Sequence, residues 1–177
     1  GLGDVYKRQN ITSCVMKVSY GNFDFFAGGD LQYNGRSSHA WKDAELPCAK
    51  AVGQVELLKA NHHGVTNTNQ VDALKALNPQ TIVVNSWVDC HPRTDILNSM
   101  EATLPACDMF ITNFWQGDRP SGVDDRVTAE EAASVKGYDG HIVVRVTDGG
   151  NKYRVVTITD SDGAMTVKTI SGPYTSR

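Results

Sequence analysis

The chain is expected to fold as a layered α/β protein, of the α+β kind, closed by β-hairpins. Three observations predict this. Short apolar, β-branched runs alternate with helix-periodic segments through the middle of the chain. Several of those runs stop abruptly at polar residues, as buried strands do at a sheet edge. Three alternating segments, joined by clusters of Asp, Gly, Asn and Ser, end the chain as a meander.

The elements follow in order. Gly1–Gln9, GLGDVYKRQ, matches no pattern downstream and reads as a translated adapter run of the kind found at the ends of sequencing reads, so the domain is expected to span 10–177. Thr12–Tyr20 alternates around Cys14, Met16 and Val18, Gly21-Asn22 makes a turn, and Phe23–Ala27 returns as the second strand of a hairpin. Leu31–Pro47 is polar and loop-like, carrying Tyr33 and Trp41. Leu46–Val52 predicts a short helix and Val55–Ala60 a strand. Val71, Leu74 and Leu77 lie at helical spacing in Asn69–Leu77, which Asn78-Pro79 stops. Thr81–Val84 is a β-branched strand ending at Asn85-Ser86. Thr94–Leu104 places Ile96, Leu97, Met100 and Leu104 on one helical face, with Thr94 as N-cap, and Met109–Thr112 is a further strand. Gly117–Gly140 is rich in Gly, Pro and acidic residues and predicts a loop with one helical turn over Ala129–Val135. His141–Thr147, Tyr153–Thr159 and Ala164–Ile170 form the closing meander.

Bulk properties narrow the function classes. A 177-residue chain that is 40% hydrophobic and 21% charged suits one globular domain rather than a disordered segment. Seventeen basic residues against twenty acidic, scattered along the chain, trace no basic groove for nucleic acid. No apolar run approaches a membrane-spanning length. Cys14, Cys48, Cys90 and Cys107 form no C-x-x-C pair and are expected as small buried hydrophobes.

Chemistry concentrates where strands end. Gly28-Gly29-Asp30 lets the backbone turn sharply and sets a carboxylate at the exit of Phe23–Ala27. Alone, Asp30 reads as readily as a turn residue. Asn61-His62-His63-Gly64 places two imidazoles behind Val55–Ala60. In extended backbone, neighbouring side chains point to opposite sides, so one of the pair is expected to face a metal and the other to contact substrate or solvent. His91, after Asn85-Ser86, is placed to reach the same rim, there to donate to an oxyanion or a leaving group, or else to be a surface residue. His39 and His141 lack such context and are read as structural. Carboxylate and imidazole at adjacent strand ends are the material of a zinc or mixed-metal hydrolase site.

Taken in order, Thr12-Ser13-Cys14-Val15-Met16, the Gly21 turn, Phe25-Phe26-Ala27-Gly28-Gly29-Asp30-Leu31, Leu57-Leu58-Lys59-Ala60-Asn61-His62-His63-Gly64, Asn78-Pro79 and His91-Pro92 resemble the C-terminal half of the metallo-β-lactamase fold superfamily. The nearest branch is the hydrolase domain of ComEC-type bacterial competence proteins, with its phosphodiesterase relatives. The resemblance implies half of a four-layer αββα sandwich bearing a two-metal site. It makes Asp30 the carboxylate that bridges both metals, His63 a late histidine ligand, His62 its neighbour or a phosphate contact, and His91 a histidine leaning over the metals. The implied cofactors are two divalent ions, zinc ahead of manganese. The implied substrate is a small phosphodiester or a nucleic acid, attacked by water at phosphorus or a carbonyl.

One departure matters. The H-x-H-x-D-H motif that supplies most ligands in that family occurs nowhere in these residues. The chain is therefore expected to be the C-terminal part of a metal-dependent hydrolase, inactive by itself. The alternative is a non-catalytic binding or scaffolding module with a degenerate site.

Overall fold

The computed structural model describes residues 9–33, 43–86, 91–113, 134–159, 161 and 163–177. They form three layers, and the fold is α/β as expected. Strands β1 (Met16–Tyr20), β2 (Phe23–Ala27), β3 (Leu57–Lys59), β4 (Thr81–Val84), β5 (Asp108–Ile111) and β6 (Gly137–Tyr138) make one six-stranded sheet in sequence order. β1 and β2 are an antiparallel hairpin with Val18 opposite Phe25, and β2 to β6 run parallel. Helices α1 (Glu45–Val52), α2 (Val71–Leu77) and α3 (Thr94–Thr103) supply the crossovers that parallel neighbours require. Strands β7 (His141–Thr147), β8 (Lys152–Ile158) and β9 (Val167–Thr175) form a separate antiparallel sheet.

The central strands read as unbroken apolar runs because both of their faces are covered. On one face Phe26, Leu58, Ile82 and Ile111 meet Ala49, Leu74, Leu97 and Met100 of the helices. On the other, Phe23, Leu57 and Phe110 meet Tyr153 and Val155 of β8. The Phe23 and Tyr153 rings meet edge to face at 5.0 Å. The Tyr153 hydroxyl sits 3.1 Å from Gln80 Oε1 and 3.3 Å from the carbonyl of Glu56, tying the sheets together by their polar edges as well.

Several boundaries differ from the sequence reading. Gln9–Thr12 is a 3-10 turn, so the first strand starts only at Met16. The helix expected from Thr94 begins there, but Arg93 is its N-cap; its backbone is extended and its carbonyl accepts the N–H groups of Ile96 and Leu97. Gly137–Tyr138 lies in the stretch read as loop, yet it pairs with β5. A Cβ on Gly137 would come within 2.3 Å of Thr157 Oγ1, so the close approach of the two sheets there needs glycine. β9 runs on to Thr175, past Gly172-Pro173, because a bulge at that point absorbs the residues that a regular ladder rejects. Cys14, Cys48 and Cys107 are free thiols; Cys48 and Cys107 are half-buried, Cys107 against the helix-side core, whereas Cys14 is exposed and departs from the expected small buried hydrophobe. Trp41, Cys90 and Ala129–Ala133 lie outside the described residues.

Candidate metal centre

In an open parallel sheet the loops at the carboxyl ends of the strands converge on one edge, and ligand sites collect there. Asp30 follows β2, His62 and His63 follow β3, and Asn85 and Ser86 follow β4. The structure brings Asp30, His62, His63 and His91 together at this edge. His63 Nε2 lies 3.7 Å from Asp30 Oδ1, with both side chains partly exposed. The His63 and His91 rings stack at 5.5 Å and 8°. His62 stands edge-on to both, at 6.0 Å from His63 and 6.1 Å from His91.

The histidine pair departs from the expected geometry. After Lys59 the strand ends, and His62 (φ 43°, ψ 47°) and His63 (φ 57°, ψ 17°) both adopt left-handed backbone. Two successive residues in that region curl the chain instead of alternating it, so both imidazoles face the same rim. Left-handed backbone costs about 1–3 kcal/mol at a non-glycine residue and persists only where surrounding contacts impose it. Those contacts are visible. The Asn61 N–H donates to Asn69 Oδ1 at 2.9 Å, and Asn61 Nδ2 donates to Glu45 Oε1 at 2.8 Å. Glu45 also accepts the backbone N–H groups of Asn69 and Gln70. Burial lifts the Glu45 carboxyl to about 7, against the opposing pull of its hydrogen bonds to Asn61, Gln70 and Asn69.

The Asp30 turn is held as tightly. Gly28 N-terminal to it packs so close to Asn61 that an added Cβ would lie 2.3 Å from Asn61 Oδ1. The Asp30 N–H donates to Ser13 Oγ at 3.2 Å, and His62 N–H donates to the Gly29 carbonyl at 3.1 Å.

Hydrogen-bond partners fix the tautomers. The carbonyl of Asn85 only accepts, so His63 Nδ1, 2.6 Å away, carries a proton and Nε2 is the nitrogen turned toward Asp30. Asn10 Nδ2 only donates, so His62 Nδ1, 3.3 Å away, accepts and its Nε2 bears the proton. Burial holds the His62 imidazole below its usual range; Asp30 opposes this, and His63 and Lys59 add to it. The hydroxyl of Ser86 donates to the His91 carbonyl and steadies the loop that carries it.

As a metal site the arrangement is partial. Two ligands about 2.0–2.2 Å from one tetrahedral zinc lie roughly 3.4 Å apart, close to the separation of Asp30 Oδ1 and His63 Nε2. A carbonyl holding the far nitrogen of a ligating histidine is the usual support for such a ring. Yet among the described residues no group of three or more His, Cys, Asp or Glu side chains is arranged to hold a metal ion. The donors fit as a pair of ligands and not as a full set.

Asn10, Ser13, Lys59 and the Asn85 carbonyl also belong to this site. In the sequence Lys59 stands out as a charge between Leu57-Leu58 and the histidines. A backbone carbonyl leaves no such signal. His141 lies on β7 and His39 outside the described residues. No protein-family model matches this chain, and no curated protein matches it. Among the described residues no helix is long and apolar enough to cross a membrane.

Proposed function

We propose that this chain carries the later half of a metal-dependent hydrolase centre of the metallo-β-lactamase type, acting on phosphodiesters. In this reading Asp30 and His63 are metal ligands, His62 and His91 face the substrate, and the remaining ligands come from outside these 177 residues. The carrying observation is the 3.7 Å gap between a carboxylate oxygen and the imidazole nitrogen that the Asn85 carbonyl leaves facing it. A carboxylate and an imidazole nitrogen at this distance are suited to share a proton or a cation.

When bound, a divalent ion supplies Lewis-acid stabilisation of the charge that develops as water attacks phosphorus. The chain's own residues do the rest. The Asn85 carbonyl orients His63, so its Nε2 needs no reorganisation on loading. His62, its imidazole held below the usual range by burial and its Nδ1 accepting from Asn10, offers its Nε2–H to a phosphoryl oxygen. His91, stacked on His63, adds a second imidazole for the leaving group.

A further support is the sheet face left open beside the site. Met16, Val18 and Tyr20 of β1 are more than half exposed. A groove of about 500 Å³ between the sheets is lined by Val18, Phe25, Val83, Ile142 and Val144. The earlier half of such a domain would cover this apolar surface.

A second reading, a non-catalytic module, draws on the ligand count among the described residues. Zinc titration of the purified chain separates the two. The hydrolase reading expects weak binding that Asp30→Ala and His63→Ala each abolish, with no phosphodiesterase turnover by the chain alone. Zinc binding indifferent to both substitutions favours the module. Robust turnover dependent on Asp30 would refute the need for outside ligands.

A further inference from the structure

Lys59 ends β3 with its stem along the apolar groove beside Phe25, Leu57 and Val83. Its ammonium turns back and donates to two carbonyls, Gly29 at 3.0 Å and Ala60 at 3.1 Å. Those carbonyls belong to the two turns that carry the candidate ligands. Gly29 immediately precedes Asp30, and Ala60 is the residue before the Asn61–Gly64 turn. The Gly29 carbonyl also accepts the His62 N–H, so a single oxygen joins the Asp30 turn to both the histidine backbone and the Lys59 side chain.

Bridging two acceptors demands a side chain with several donors on a stem long enough to span the turns, and the lysine ammonium, with three donors on a flexible four-carbon stem, meets that demand. A half-buried cation costs free energy that an apolar residue at the same strand position avoids. The ammonium's contribution therefore lies in what it holds. With Asp30 and His63 only 3.7 Å apart, a small shift of either turn breaks their alignment.

We infer that Lys59 is a positioning residue for the Asp30–His63 pair, its ammonium cross-tying the two ligand-bearing turns and setting their separation. This rests on the metal-site reading above, while the cross-tie itself is testable without metal.

Lys59→Met keeps the stem and its packing and removes only the donors. In the metal-free chain, amide exchange at residues 30–31 and 61–65 should rise about tenfold, with β4 and β5 unchanged, the scale of losing a charge-assisted hydrogen bond. Zinc affinity should fall about tenfold, and the visible spectrum of bound Co(II) should shift, which lost packing alone would not produce. Unchanged exchange in both turns overturns the cross-tie, as does an increase spread evenly over the sheet. If the wild-type chain binds neither ion, the hydrolase reading fails and the exchange result still decides the cross-tie. If exchange rises but wild-type and variant chains bind zinc equally, the positioning role is overturned while the metal site stands. Should Lys59→Met not fold, the wild-type ammonium protons give the answer. Slow exchange with contacts to residues 29 and 60 is expected, and a freely averaged ammonium signal overturns the proposal.

Discussion

His63 donates its Nδ1–H to the carbonyl of Asn85 at 2.6 Å, and this bond decides which nitrogen faces Asp30. Asn85 directly follows β4, so the neighbouring strand orients a ring carried by the turn after β3. His62 has no equivalent anchor from β4 and accepts instead from Asn10.

The two histidines should therefore differ as ligands. His63→Ala is expected to lower zinc affinity by more than about tenfold, the scale of losing a supporting contact, whereas His62→Ala stays within it. Calorimetric titration of both variants checks this. Equal losses, or the reverse order, would overturn the assignment.

Gly28 is predicted to tolerate no side chain. Gly28→Ala brings a methyl against Asn61 Oδ1, and Asn61 cannot retreat because Glu45 and Asn69 hold it. The expected cost is about 1–3 kcal/mol in urea unfolding, as for other overpacked sites. In the Asn61→Ala background the same substitution should cost visibly less, and strict additivity of the two changes would show that the clash is not the cause.

Glu45 accepts three N–H groups in a buried setting, and Glu45→Ala leaves all three unpaired. A loss of roughly 3 kcal/mol or more is expected from denaturant midpoints. The wild-type pH dependence has a definite sign. Burial raises this carboxyl from 4.5 to about 7, so the folded state holds its proton more firmly than the unfolded chain. The associated stability is fully present below pH 4.5 and is lost as pH rises through about 7. Glu45→Gln should flatten that part of the stability profile, and an unaltered profile counts against Glu45 as its source.

Tyr153 is expected to couple the sheets by more than its apolar area. Tyr153→Phe keeps the ring contact with Phe23 but removes the hydroxyl shared with Gln80, Thr81 and Glu56. A loss of about 1–2 kcal/mol is expected, read as a lower urea midpoint with an unchanged denaturant slope. A neutral result would mean that ring packing alone joins the layers.

The strands that carry the site were legible because each is short, apolar and cut off by polar residues. Leu57-Leu58 and Thr81–Val84 are buried on both faces, and that burial is written directly in their composition. Gly28-Gly29-Asp30 also announced its turn. Strand β6 and the far end of β9, which the sequence reading did not include, lack a local signal. β6 is a two-residue strand made by its neighbour, and β9 continues through Gly172-Pro173 because a bulge accommodates what sequence patterns read as an end.

The histidine pair marks the limit more sharply. Side-chain alternation assumes extended backbone, and that assumption fails at His62 and His63 because a buried network from Glu45, Asn61 and Asn69 holds the turn left-handed. That network joins residues 16 and 24 positions apart, which no window along the chain reveals.

The sequence by itself determined the α/β class, the strands that carry the site and the residue types at their ends, because apolar composition and periodicity are local properties of a chain. Tertiary structure alone decided which nitrogen of His63 faces Asp30, that the rings of His62 and His63 share one rim, and that Lys59 spans two turns. Those outcomes depend on hydrogen bonds between segments distant in the chain, and only the packed sheet brings their donors and acceptors within reach.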